Sequence, residues 1–120
     1  MDRGVLIVDD IEFLRVLLRE ILTLNGYFVA GEATNGSEAI ERYMQIKPAL
    51  VMMDIVMPTM GGIEATKNIM KLDPGAKIIM CTAIGQPSII RDAMAAGASG
   101  YIVKPFQAAN IAEEINKVLN

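Results

Sequence analysis

Short apolar runs alternate along this chain with longer stretches in which apolar residues recur every three or four positions. The runs are Val5-Leu6-Ile7-Val8, Tyr27-Phe28-Val29-Ala30, Leu50-Val51-Met52-Met53, Ile78-Ile79-Met80-Cys81 and Tyr101-Ile102-Val103. Each is too short for a helix, and its unbroken apolar character predicts a strand buried on both faces. Between them, Leu14, Leu17, Leu18, Ile21 and Leu22 form a helical stripe that ends at Asn25-Gly26. Asn35 and Glu38 have the spacing of a capping box, followed by Ala39, Ile40, Tyr43 and Met44 and a stop before Pro48. Ile63, Ile69, Met70 and Leu72 precede the turn Asp73-Pro74-Gly75. A segment from Pro87 carries Ile89, Ile90, Ala93 and Met94 and ends at Gly97, and Ile111, Ile115, Val118 and Leu119 mark a final helix.

Five strands alternating with five helices predict an α/β fold, a doubly wound open parallel sheet with helices on both faces. With ~100–200 residues per domain, the 120 residues make one domain, 1–120, with no room for an output domain.

Ligands of such sheets bind beyond the carboxyl ends of the strands. Asp9-Asp10 follow the first run, Asp54 the third, Thr82 the fourth and Lys104 the fifth. The second fades through Gly31 into Glu32 and the Asn35-Gly36 turn, which suits an edge position. The order 2-1-3-4-5 accommodates this, and it is taken over from known doubly wound folds of the flavodoxin type. Singly, each polar residue has an ordinary reading: Asp10 as a helix cap, Thr82 as a turn hydroxyl, Lys104 as a solvated charge. Together they do not, because three carboxylates at one sheet edge repel unless a cation compensates.

Composition narrows the choice of cation and chemistry. There is no histidine, so imidazole catalysis, histidine-ligated zinc and a phosphohistidine of the chain's own are excluded. Cys81 is the one cysteine, which excludes an internal disulfide and a Cys-x-x-Cys site. With 11 Lys+Arg against 14 Asp+Glu the net charge is −3, an argument against nucleic-acid or anionic-membrane partners. No apolar run approaches the ~20 residues a bilayer needs and no cleavable leader pattern follows Met1, so a cytoplasmic location is expected. Oxygen ligands without histidine or a thiol cluster point to Mg²⁺. A carboxylate beside Mg²⁺, a lysine and a hydroxyl is a place to hold a phosphoryl group, here as an acyl phosphate.

At these residues the sequence resembles a response-regulator receiver domain over essentially its whole length. The motifs that carry the resemblance are Val5-Leu6-Ile7-Val8-Asp9-Asp10, Met53-Asp54-Ile55-Val56-Met57-Pro58 with Gly62, Cys81-Thr82-Ala83 and Val103-Lys104-Pro105-Phe106. Through Ile55–Pro58, Gly85-Gln86 and Lys104–Gln107 it is most similar to stand-alone chemotaxis regulators of the CheY type. The resemblance implies that Asp54 accepts a phosphoryl group from a sensor-kinase phosphohistidine. It implies Mg²⁺ held by Asp9, Asp10, Asp54 and the backbone carbonyl of Val56. Lys104, with its bond to Pro105 a candidate for the cis form, would pair with phosphoryl oxygens, and Thr82 and the Ala83 N–H would bind the group once formed. Thr82 and Tyr101 would be the switch pair, and helix 4, strand 5 and helix 5 the readout face. The implied partners are a chemotaxis-type histidine kinase, a phosphatase, and a flagellar motor-switch protein or other output partner. Such a chain is a signalling module and not a dedicated enzyme.

Two departures bear on behaviour. Val56 and Ile84, two positions after the acceptor and the threonine, are apolar where the family uses these positions to control water access, which predicts slow self-dephosphorylation. Gly61 stands where the family often has Asp or Asn, which predicts a looser Gly61-Gly62 loop. Alternatives are a phosphorelay intermediate passing its phosphoryl group to another histidine protein, a Mg²⁺-dependent aspartyl phosphohydrolase, and a nucleotide- or flavin-binding domain. The hydrolase wants a second acid where Val56 stands, and the nucleotide fold wants a glycine-rich loop where Asp9-Asp10-Ile11-Glu12 stands. Of the nine methionines, Met52, Met53, Met80, Met70 and Met94 are expected to fill the core, with Met57 and Met60 in the loop after Asp54.

Overall fold

A computed structural model describes residues 3–120. The elements follow one another as β1 (Gly4–Val8), α1 (Glu12–Leu24), β2 (Phe28–Ala33), α2 (Gly36–Ile46), β3 (Leu50–Asp54), α3 (Gly62–Leu72), β4 (Ile78–Thr82), α4 (Pro87–Ala96), β5 (Gly100–Val103) and α5 (Ala108–Leu119). All strand pairs are parallel and the sheet order is β2-β1-β3-β4-β5, as expected. Side chains alternate across the pleat and divide the core in two. Leu6, Val8, Val51, Met53, Ile78 and Met80 pack against Ala39 and Tyr43 of α2, Ala65 and Ile69 of α3 and Ala93 of α4. Val5, Ile7, Leu50, Met52, Ile79 and Cys81 face Leu18 and Leu22 of α1 and Ile111 and Ile115 of α5.

The expectation that all five strands are buried on both faces holds for β1, β3 and β4 only. β2 and β5 are the edges of the sheet, and each leaves part of its surface to solvent: Phe28 is exposed, and on β5 Tyr101 and Val103 face outward. β2 also begins one residue later than the apolar run and continues through Gly31 and Glu32 to Ala33. It does so because Leu6, Ile7 and Val8 supply register partners for those three residues, and an edge strand tolerates a glutamate on its open face. Met94 is a second correction. It is 42% exposed, because α4 meets the core through the small Ala93 and Ala96 instead.

Local chemistry sets the helix ends. The Asn35 side chain accepts from the Glu38 N–H (2.9 Å), and Glu38 reaches back to the Thr34 N–H (2.9 Å), one residue beyond the usual box partner. α4 ends on Gly97 in the left-handed region, φ 117°. At α1 the N-cap is Ile11, and the side chain that accepts from its N–H is Asp9 (2.9 Å), so Asp10 is not the cap. No helix among the described residues is long and apolar enough to cross a membrane.

Candidate functional site

The parallel register brings the carboxyl ends of β1, β3, β4 and β5 to one edge, and the polar residues there converge. Asp54 is the last residue of β3, beside Cys81 of β4 in register, while Asp9 and Asp10 leave β1, its neighbour on the other side. One carboxylate oxygen each from Asp9, Asp10 and Asp54 lie within 4.8 Å of one another. Lys104 comes from the far edge of the sheet. Its backbone N–H donates to the Thr82 carbonyl (2.7 Å), its bond to Pro105 is cis, and its Nζ reaches Asp9 Oδ2 (3.0 Å) and Asp54 Oδ2 (3.4 Å). The ring of Phe106 lies 5.8 Å from the same ammonium, a further restraint on it.

Burial and charge pull against each other here. Asp54 is only 7% exposed, and burial is the main reason its carboxyl sits above the ordinary carboxylate range; Lys104 opposes the rise and Asp9 adds to it. Burial also works against the charge on Lys104, yet its hydrogen bond to Asp9 and the field of both carboxylates hold the ammonium above the usual lysine value. The asymmetry has a simple cause: the lysine faces two carboxylates, whereas Asp54 faces one lysine and another carboxylate.

Around this centre, Thr82 is buried, and its hydroxyl is engaged with the backbone of Ile84, accepting from its N–H (2.9 Å) and donating to its carbonyl (3.1 Å). Ala83 is exposed beside it. Val56 lies on the loop after Asp54, 63% exposed, and its carbonyl accepts no hydrogen bond among the described residues. Gly62 is where that loop closes, its N–H donating to the Ile55 carbonyl (2.8 Å). A Cβ there would meet Met80 at 2.8 Å and the Asp54 backbone carbon at 3.0 Å, so the motif glycine is required by the close approach of α3 to β3. Tyr101 is 42% exposed and lines a cavity of about 300 Å³ against Asn110, Glu113 and Glu114 of α5, apart from the carboxylates.

Two participants were not visible as such in the chain. Arg15, from α1, donates from Nη1 to the Asp9 carbonyl (2.8 Å) and from Nε to Glu32 on β2 (2.8 Å), and Glu32 also pairs with Arg19. Burial opposes the charge on Glu32, but the two guanidiniums outweigh it and hold the carboxyl below its usual range. The signal was a basic residue one turn into α1 and an acid on an edge strand, which only the β1–β2 register connects.

Residues 5–116 match the response regulator receiver domain family. The chain belongs to that family. Among its relatives, the chemotaxis protein CheY of Thermotoga maritima is 56% identical over 118 residues, covering 98% of each chain. CheY of Bacillus subtilis is 52% identical over 120 residues, covering 100% of each. The fold superposes on CheY in the CheX-CheY-BeF3-Mg²⁺ complex of Borrelia burgdorferi with a TM-score of 0.95 at 35% identity, covering 98% of this chain and 89% of that one. This receiver domain is therefore of the CheY type, consistent with phosphorylation-dependent signalling in chemotaxis. Receiver domains bind Mg²⁺ at an acidic cluster, and the donor set here suits a hard cation: three carboxylates in reach of one point, two of them buried around a single lysine, and on the loop after Asp54 the Val56 carbonyl, without a hydrogen-bond partner among the described residues.

Proposed function

We propose that Asp54 accepts a phosphoryl group from the phosphohistidine of a chemotaxis-type sensor kinase, and that the altered site re-aims the α4-β5-α5 face toward an output partner. The observation that carries this reading is Asp54 itself: a buried carboxylate at a strand end, with Lys104 3.4 Å away and two more carboxylates beside it.

In the transfer, an Asp54 carboxylate oxygen bonds to phosphorus as the P–N bond of the donor breaks, and the donor imidazole keeps the bonding pair. Asp9, Asp10, Asp54 and the Val56 carbonyl hold Mg²⁺, which when bound offsets charge on the carboxylates and the phosphoryl oxygens. Lys104 exchanges its contact with Asp54 for one with a phosphoryl oxygen. Phosphorylation replaces one negative charge on Asp54 by about two and adds strong acceptors. Those acceptors compete with the Ile84 backbone for the Thr82 hydroxyl, and the backbone N–H of Ala83 supplies a second donor. A contact made in only one state is what shifts a two-state equilibrium, and Thr82 has two alternative partners. As Thr82 turns toward the phosphate, the Tyr101 ring leaves its exposed position beside α5 and turns inward. The chain thus acts as one domain, as a binding module and not as a dedicated enzyme. Its output partner is a flagellar motor-switch component, and a phosphatase completes the cycle.

The test is incubation with Mg²⁺ and acetyl phosphate, read by intact mass. Wild type should gain one phosphoryl group and Asp54→Ala none; wild type without an adduct would overturn the assignment. Binding of the beryllofluoride-treated protein to a motor-switch protein then separates motor output from transfer to a second histidine protein.

A further inference from the structure

We infer that Arg15, braced by Glu32, is a positioning residue for the cation site: it fixes the peptide plane between Asp9 and Asp10 and thereby aims the Asp10 carboxylate. The inference rests on the reading of Asp9, Asp10 and Asp54 as Mg²⁺ ligands and concerns what holds two of them in place.

The carbonyl of that peptide belongs to Asp9 and its nitrogen to Asp10, so rotating the plane swings Asp10. Asp9 is anchored on every side. Its N–H donates to the Ala33 carbonyl (3.1 Å), Oδ1 accepts from the Ile11 N–H (2.9 Å), and Oδ2 accepts from Lys104 (3.0 Å). Asp10 is exposed, and among the described residues its carboxylate has no hydrogen-bond or ion-pair partner. With no partner to hold its side chain, where its carboxylate can reach depends on how its backbone is held, and the side chain that grips the peptide before it, at the Asp9 carbonyl, is Arg15, 2.8 Å away. Arg15 cannot drift. Its side chain is 15% exposed, and its Nε is tied to Glu32 Oε1 at 2.8 Å, on the strand paired directly with β1. A guanidinium suits the task, because its rigid fork serves two acceptors in fixed directions, which an ammonium does not.

Simple electrostatics predicts the opposite effect of removing it. Arg15 is a positive charge close to a site for a divalent cation, so deleting it should tighten cation binding if charge were all that mattered. Positioning predicts weaker binding, so the direction of the change separates the two.

The experiment is calorimetric titration of the whole chain with MgCl₂, with no phosphodonor present, alongside thermal melts. Outer partners of metal ligands are worth about ten- to a hundredfold in affinity, so Arg15→Met should bind Mg²⁺ at least about tenfold more weakly, with a cooperative melt retained. Arg15→Lys should recover part of the loss. A folded Arg15→Met that binds Mg²⁺ as tightly as wild type, or more tightly, overturns the inference. If Arg15→Met does not fold, Arg15→Gln decides: it removes the same charge but keeps a polar tip against the packed surroundings, and an affinity equal to or tighter than wild type overturns the inference, whereas a severalfold weakening supports it. Failure of the underlying reading looks different, since wild type would then show no saturable Mg²⁺ binding, or Asp10→Asn would bind like wild type.

Discussion

Replacing Asp54 by Asn should stabilise the metal-free protein at neutral pH. Lys104 lies 3.4 Å from Asp54, worth roughly 5 kcal/mol of attraction at an effective dielectric constant of ~20. The Asp9 oxygen lies within 4.8 Å and returns at least about 3 kcal/mol of repulsion on the same scale. The difference, roughly 2 kcal/mol, is smaller than the several kcal/mol that desolvating a buried carboxylate costs. The raised Asp54 pKa has the same sense, with burial its largest cause. Asn keeps the shape, removes the buried charge and leaves the Lys104–Asp9 pair at 3.0 Å intact. The expected gain is about 1–2 kcal/mol, or about 4 °C in Tm per kcal/mol for a chain of this size. The pH dependence is set by the direction of the shift. Below the ordinary carboxylate range Asp54 is protonated in both folded and unfolded wild type, so variant and wild type should match. As pH rises through that range the unfolded chain ionises first and wild type loses ground, and above the raised folded value the difference is full. Thermal and urea melts in EDTA from acid to neutral pH measure it. An Asn variant less stable than wild type at pH 7, or a gain that ignores pH, would refute the reasoning.

Two further outcomes are expected. The acyl phosphate of wild type should outlast that of a Val56→Asn/Ile84→Glu variant by roughly tenfold, because the exposed apolar side chains of Val56 and Ile84 offer no hydrogen bond to orient an attacking water; a lifetime no longer than the variant's removes the argument, and loss of radiolabel with time reads it directly. Thr59 holds φ 63°, a left-handed conformation that is costly for a β-branched residue. Thr59→Asn should therefore raise stability by about 1 kcal/mol in urea melts, whereas a loss would mean that the Thr59 hydroxyl, bonded to the Pro58 carbonyl at 2.6 Å, outweighs the strain.

The fold was legible because its two periods are local properties of the chain. Val5–Val8 and Ile78–Cys81 read as buried strands with no knowledge of their neighbours, and the helix stops at Asn25-Gly26 and Gly97 are where the structure puts them. Exposure at the sheet edges was not legible, since whether Tyr101 or Phe28 is covered depends on which strand lies beside it, and the order of strands is not written in any single run. The same distinction divides the site. Asp9, Asp10, Asp54, Thr82 and Lys104 could be picked out from the polar residue at the end of each apolar run, because the parallel register carries every such residue to one edge. The bonds between Arg15 and Glu32, 17 residues apart, and between Tyr43 and Asp73, 30 apart, join a helix to a remote strand or turn, and neither has a local signature.

The charge count at the site explains why one lysine serves where two would stabilise the fold better. Three carboxylates less one ammonium leave −3 + 1 = −2 around a single point, which a divalent cation matches. A second lysine would satisfy Asp9 and Asp54 within the chain and leave little field for a cation. With only Lys104, the three carboxylates keep a net negative charge in the metal-free protein. Adding a phosphoryl group makes the excess about one charge larger, beyond what the cation and Lys104 neutralise together. On the proposed reading, that residual charge draws the Thr82 hydroxyl from the Ile84 backbone, a neutral partner at 2.9 and 3.1 Å. By this count the resting site with its cation is neutral and exerts no such pull, so on the proposed reading it is the charge added by the phosphoryl group that drives the switch.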